Sequence, residues 1–248
     1  VLSLALRSAS LIAVEIGSRA GIVSCALSDS FFLFFVFPLN TVLLSSAYLP
    51  PIQYFARLYA ADQILTERCD HYVKQTYRNR AVIASSNGPL ALTIPIVRTG
   101  ENNQPMRDLR ISDHGRWRRL HWTALVSAYE QSPYFPYYED DFRQFYEEPY
   151  EYLIDFNDAL QAKICELLML TPDIRPTTEY VKTPGPEIED CRDLIRPKAS
   201  FEEDARFRVV PYYQVFQSRL GFLPNLSIVD LLFNMGPESR IVLKKSLV

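Results

Sequence analysis

From Thr41 onward the chain alternates short β-rich runs with stretches whose apolar residues recur every three or four positions, and this rhythm admits few architectures. Strands interleaved with amphipathic helices bury their apolar faces as layers, so the expected fold is one α/β domain, residues 41–248, with a mixed sheet flanked by helices. Candidate strands are Thr41–Ser46, Gln63–Glu67, Ala81–Ser85, Ala91–Val97, Arg107–Ser112 and Thr177–Val181. Asn87-Gly88, between two of them, predicts a hairpin. Pro51 suits the first turn of a helix reaching about Ala61. Gly115–Gln131 and Pro149–Leu170 read as longer helices: the first turns His121 inward, and the second sets Asn157 on a stripe of Leu153, Leu160, Ile164 and Leu167. Near the end, Asn225 or Ser227 caps a helix that Gly236 stops. The proline-rich stretch Thr171–Glu189 reads as an excursion across the surface.

Residues 1–40 break the pattern, with only Arg7, Glu15, Arg19 and Asp29 charged. Their apolar run, Phe31–Phe37, is far shorter than the roughly 20 residues of a membrane-spanning helix. They are expected to be an extension outside the core, with no stable membrane span and a cytoplasmic protein. The alternative is a signal in residues 1–47, with Ser45 and Ala47 as the small residues before a cut, which makes the protein exported or membrane-associated.

Charge and cysteine usage narrow the chemistry. With 26 basic against 29 acidic side chains and a net charge of −3, the chain has no global basic field, and no nucleic-acid partner is expected. Cys25, Cys69, Cys165 and Cys191 form no C-x-x-C pair, and His71, His114 and His121 share no ligand spacing, so neither a disulfide framework nor a metal site is indicated. No Walker A loop or G-x-G-x-x-G fingerprint occurs, and no cofactor is expected. By segment, residues 41–137 carry 11 basic and 7 acidic groups (+4), 138–204 carry 7 and 18 (−11), and 205–248 carry 6 and 2 (+4). If Arg78, Arg80, Arg107, Arg110, Arg116, Arg118 and Arg119 converge, the first segment presents an anion-binding face; the alternative is solvated faces that offset the acidic segment.

The densest polar motif is Lys74-Gln75-Thr76-Tyr77-Arg78-Asn79-Arg80, directly ahead of a predicted strand. This motif, together with Tyr48 to Phe55 (YLPPIQYF), Asn87 to Pro95 (NGPLALTIP), Trp117 to Trp122 (WRRLHW), Pro133 to Phe135 and Phe222 to Gly236 (FLPNLSIVDLLFNMG), resembles the WbqC-like family from about Thr41 to Gly236. The resemblance implies a bacterial protein associated with O-antigen or other surface-polysaccharide synthesis. It singles out Tyr48, Pro50, Lys74, Asn79, Arg80, Gly88, Pro95, Trp117, His121, Tyr129, Phe135, Asn157, Tyr213, Gln214, Ser227 and Asp230. The chain departs from the family pattern at Ser45-Ser46, where many members have Gln-Pro, and at Gln53, where many have Gly.

Two functions follow as expectations. In the first, a group transferase takes an activated anionic donor, a nucleotide sugar or an acyl or aminoacyl thioester. His121 is then the general base and Asp113 and Asp230 orient its imidazole. Lys74, Asn79 and Arg80 hold the donor's anionic part, with Tyr48, Asn157, Tyr213 and Gln214 as further substrate contacts. The competing reading of His121 is a hydrogen-bonded core residue. A Cys69 nucleophile is a variant. In the second, a non-catalytic binding or assembly protein of the same pathway meets a protein partner through the aromatic and acidic segment 134–152. The competing reading of that segment is an amphipathic helix burying Phe135, Phe142, Phe145 and Tyr146.

Overall fold

A computed structural model describes residues 22–27, 31–36, 40–97 and 104–248, and the rest of the extension assigned to residues 1–40 lies outside the described residues. Within that extension, β1 (Ile22–Leu27) and β2 (Phe31–Val36) pair antiparallel. The next strand, β3 (Thr41–Ser45), buries Val42, Leu43 and Leu44 in succession, as a strand covered on both faces must. Helix α1 (Ile52–Ala60) leads to β4 (Gln63–Glu67), parallel to β3.

The Asn87-Gly88 signal lies at a tight connection, where β5 (Arg80–Ser85) and β6 (Gly88–Thr93) pair antiparallel in a sheet of their own. Gly88 has a φ of +110°, and a Cβ there would meet no atom within 4 Å. The cost of Gly88→Ala is therefore backbone strain alone. We expect about 1–3 kcal/mol, seen as a lower urea midpoint at unchanged slope; an unchanged midpoint would show that the turn relaxes.

Helices α2 (Trp117–Tyr129), α3 (Phe135–Glu147) and α4 (Leu153–Leu167) follow. Then β7 (Ile174–Pro176) pairs with β4 and β8 (Ile188–Asp190) with β3. The result is an all-parallel sheet in the order β7-β4-β3-β8. The parallel and antiparallel pairings of an α/β fold are thus both present, the parallel in the four-stranded sheet and the antiparallel in the β1–β2 and β5–β6 pairs. A short α5 (Gln217–Leu220) precedes α6 (Ile228–Met235) and α7 (Ser239–Lys245), both of which pack on α1.

Several expected elements move. Arg107–Ser112 is no strand: Pro105 opens a 3-10 turn at Met106–Asp108, and only isolated bridges join Ile96 to Ile111 and Arg110 to Tyr152. The run Ala91–Val97 stops being a strand at Thr93, because Pro95 has no N–H for the ladder. Strand β7 lies just upstream of the expected Thr177–Val181, and the Thr177 hydroxyl goes instead to the Glu67 carboxylate at 2.7 Å. The stretch Thr171–Glu189 therefore supplies one edge strand of the parallel sheet and begins the other. Helix α4 starts at Leu153 rather than Pro149. In α2 the buried face is Trp117, His121, Leu125, Ala128 and Tyr129, whereas Leu120 is exposed. Ser227 sits at the start of α6, but its hydroxyl donates to the Leu49 carbonyl at 2.7 Å. Gly236 ends that helix at a φ of 53°. Among the described residues no helix is long and apolar enough to cross a membrane.

Candidate functional site

An open parallel sheet offers a ligand site beyond the carboxyl ends of its strands, at the strand from which the strand order runs off in both directions. Here that strand is β3: α1 carries the chain to β4 on one flank, and β8 occupies the other. Two depressions lie at this point. A narrow slot between the ends of β3 and β8 is lined by Leu44 to Ala47, Tyr54, Thr76 to Arg78, Cys191, Arg192 and Ile195, with free volume of about 10 Å³. Beside it, sharing Thr76, is a cleft of about 560 Å³ walled by Val73 to Thr76, Asp193, Leu194, Arg196, Lys198 to Ser200 and Glu203.

The slot is built from charges that the fold has committed. Glu67, fully buried at the end of β4, accepts from the Cys69 amide at 2.9 Å, the Thr177 hydroxyl at 2.7 Å, the Val181 amide at 3.0 Å and Arg192 Nη1 at 3.3 Å. Arg192 also pairs side-on with Asp190, Nε to Oδ1 at 2.9 Å and Nη2 to Oδ2 at 2.7 Å, under the Tyr180 ring. Its guanidinium is held rigid. Across the slot, Arg78 is 7% exposed and pairs with Asp70 through Nη2. Arg78 Nε and Ser45 Oγ are buried without a hydrogen-bond partner among the described residues. Asn157 ties the wall together, donating to Ser46 Oγ at 3.1 Å and to the Arg78 carbonyl at 2.8 Å. The Cys191 thiol has a pKa pushed up to about 12 by burial, so it is protonated and unreactive at neutral pH.

The cleft differs in that two of its three cations are free. Lys74 and Lys198 have no ion pair or hydrogen bond among the described residues, while Arg196 pairs with Asp193. Gln75, between Lys74 and Thr76, adopts a left-handed φ of 60°. Asp193 and Glu203 share the rim, so the cleft is mixed in charge.

The residues predicted from sequence are dispersed over the molecule. Lys74 is on the cleft, and Asn157 braces the slot. Asn79 is buried, accepting from the Tyr72 hydroxyl at 3.1 Å and donating to the Ile94 carbonyl at 2.8 Å. Arg80 bonds Thr93 within the hairpin, Nε to Oγ1 at 3.2 Å. His121 is 5% exposed, stacked on Tyr48 and edge-on to Trp117. Its Nδ1 is 3.0 Å from the Tyr48 hydroxyl, which is 2.8 Å from that of Tyr146. Burial lowers the imidazole pKa to about 4, partly offset by a hydrogen bond to the Thr93 backbone. The ring is neutral, and its partners are Tyr48 and Thr93 rather than a carboxylate.

Asp113 instead pairs with Arg118 at the surface, at 2.5 Å. Asp230 is fully buried in α6 and accepts from Tyr129 at 2.9 Å, Tyr212 at 2.6 Å and Gln214 at 3.2 Å. Burial raises its pKa to about 6, against the lowering effect of these hydrogen bonds. Gln214 further clamps Leu223 through both its amide atoms, while Tyr213 is exposed. Gln53, a departure from the family pattern, is buried and donates to Asp204 at 2.8 Å.

Four of the seven arginines considered for an anion-binding face are paired with acids. Arg78 goes to Asp70, Arg107 to Asp108, Arg110 to Glu151 and Arg118 to Asp113. Cys69 is partly exposed, with Arg107 Nη1 at 4.0 Å from its sulfur. Helix α3 buries Phe135, Phe142, Phe145 and Tyr146, the faces of an amphipathic helix, and exposes Tyr137. Among the described residues no group of three or more His, Cys, Asp or Glu is placed to hold a metal. Sequence reasoning named neither Glu67 nor Arg192 nor Lys198 as a site residue; only Arg78 carried a signal, as part of the basic motif.

A family model described as the WbqC-like protein family matches residues 45–200. A relative from Mycobacterium tuberculosis (strain ATCC 25618 / H37Rv), described as uncharacterized protein Rv1507c, is 27% identical over 222 residues, covering 81% of this chain and 95% of the relative. No solved structure matches.

Proposed function

The chain belongs to the WbqC-like protein family, and from that premise we propose that it binds an activated anionic donor at the carboxyl edge of its parallel sheet and transfers a group from it. The observation that carries the reading is that Lys74 and Lys198, which have no ion pair or hydrogen bond among the described residues, stand on a cleft of about 560 Å³ at the switch point of the sheet. That volume suits a nucleotide sugar or a thioester carrier, and free ammonium groups are point charges for phosphate. The pathway proposed is synthesis of bacterial surface polysaccharide, in the cytoplasm, where activated donors are made. In this reading the Tyr48 and His121 pair belongs to the core rather than to the lining of the cleft.

The test is thermal shift of the full chain against nucleotide sugars, acyl thioesters, nucleoside diphosphates and inorganic phosphate. A ligand at 100 times its dissociation constant stabilises the fold by about 2.7 kcal/mol. Lys74→Ala and Lys198→Ala are expected to weaken binding several-fold each while leaving the unliganded midpoint unchanged, because both side chains are solvated. Stabilisation by none of these compounds, or stabilisation indifferent to both lysines, would sink the reading. A second reading, a non-catalytic binding or assembly protein, draws on Tyr137, 77% exposed on α3 among acidic neighbours; it gains if no donor binds and Tyr137→Ala abolishes capture of a pathway protein.

A further inference from the structure

We infer that the slot between the ends of β3 and β8 is a subsite for the oxygen of an acyl group, so that the donor is an acyl thioester rather than a nucleotide sugar. The inference rests on the anionic-donor reading above and deepens it. Ser45 and Arg78 both line this slot, and two of their buried donors, the Ser45 hydroxyl and Arg78 Nε–H, have no hydrogen-bond partner among the described residues. A buried polar group without a partner is unfavourable, and such groups mark places where a ligand or an ordered water completes the bonding.

The size of the slot selects the class of group. Its free volume of about 10 Å³ accommodates one oxygen-sized atom and excludes a phosphate or a sugar ring. A carbonyl oxygen accepts two hydrogen bonds through its two lone pairs, matching the two unpaired donors. The guanidinium favours an oxygen that bears negative charge, as an acyl oxygen does in part and a carboxylate oxygen does fully. The remaining slot cation cannot compete for this role, because Arg192 is engaged by Glu67 and Asp190. The slot adjoins the cleft at Thr76, so an acyl oxygen in the slot leaves the anionic carrier on the side of Lys74 and Lys198.

Isothermal titration of the full chain with acetyl-coenzyme A, coenzyme A, uridine diphosphate glucose and inorganic phosphate tests this. Acetyl-coenzyme A is expected to bind at least ten-fold more tightly than coenzyme A. Ser45→Ala should bring that ratio close to one without altering the thermal midpoint of the free protein, since the hydroxyl gives up no bond. Lys198→Ala should weaken both ligands and keep the ratio. Arg78→Lys is the direct variant, but its loss of the Asp70 pairing can unfold the chain, so Ser45→Ala decides. A ratio near one in the wild type, or a ratio that survives Ser45→Ala, overturns the acyl assignment. Binding of phosphate or the nucleotide sugar alone overturns it while the anionic-donor reading stands. If none of the four binds, both fall.

Discussion

Replacing Glu67 by alanine is expected to destabilise the protein by about 3–5 kcal/mol, the cost of removing one member of a buried charged cluster. The side chain has no exposed surface and accepts four hydrogen bonds. Arg192 would keep Asp190, so the loss falls on the other donors: the Cys69 and Val181 amides and the Thr177 hydroxyl each need a new acceptor or stay dry and unpaired. Those donors tie the segment after β7 to the end of β4. Limited proteolysis near Tyr180 should therefore accelerate beyond what global destabilisation explains, since local release precedes unfolding. Glu67→Gln keeps acceptor capacity for part of the set and should lose about half as much. Urea unfolding of both variants measures the effect. A loss below about 1 kcal/mol for alanine would mean that water replaces the carboxylate and that Arg192 is not held by it.

What was readable in advance follows how local the determining interaction is. Strands β3, β4 and β5 and the inward turn of His121 come from apolar periodicity over five or more residues, a signal carried by the chain itself. Strands β7 and β8 have three residues each, too few for any period, and they exist because β4 and β3 offer ladder partners. The same limit applies to the site. Lys74 could be picked out as an exposed cation in a basic motif, but Lys198 reaches the same cleft from more than a hundred residues away. Glu67 and Arg192 are 125 apart in sequence, and nothing near either announces the other. Tyr212 and Tyr213 show a finer limit: the first is 6% exposed and bonded to Asp230, the second 53% exposed, and adjacent tyrosines give no sign of which will face inward.

Two buried groups outside the cleft make the pH dependence of stability a test of the fold itself, with opposite signs. His121 titrates near pH 4 in the folded chain against about 6.5 when unfolded, so its contribution is fully present above 6.5 and is lost as pH falls through 4. Asp230 titrates near pH 6 against about 3.8 unfolded, so its contribution is present below 3.8 and is lost as pH rises through 6. Each amounts to about 3 kcal/mol at most, and between pH 4 and 6 they offset one another. Substituting one group exposes the other. The stability of His121→Gln relative to wild type should rise by about 3 kcal/mol on going from pH 7 to pH 4, because the variant no longer has an imidazole that resists protonation. The stability of Asp230→Asn relative to wild type should fall by a similar amount over the same change, because the wild type alone gains from the protonated carboxyl. Differences taken against wild type at each pH cancel the contributions of the surface ion pairs, which both proteins share. Urea midpoints at half-unit steps measure both curves. If both differences are flat, neither group is sequestered as described, and the Tyr48, Tyr146 and His121 cluster and the Asp230 cluster must be open to water. If only the His121 curve is flat, the imidazole titrates in reach of solvent.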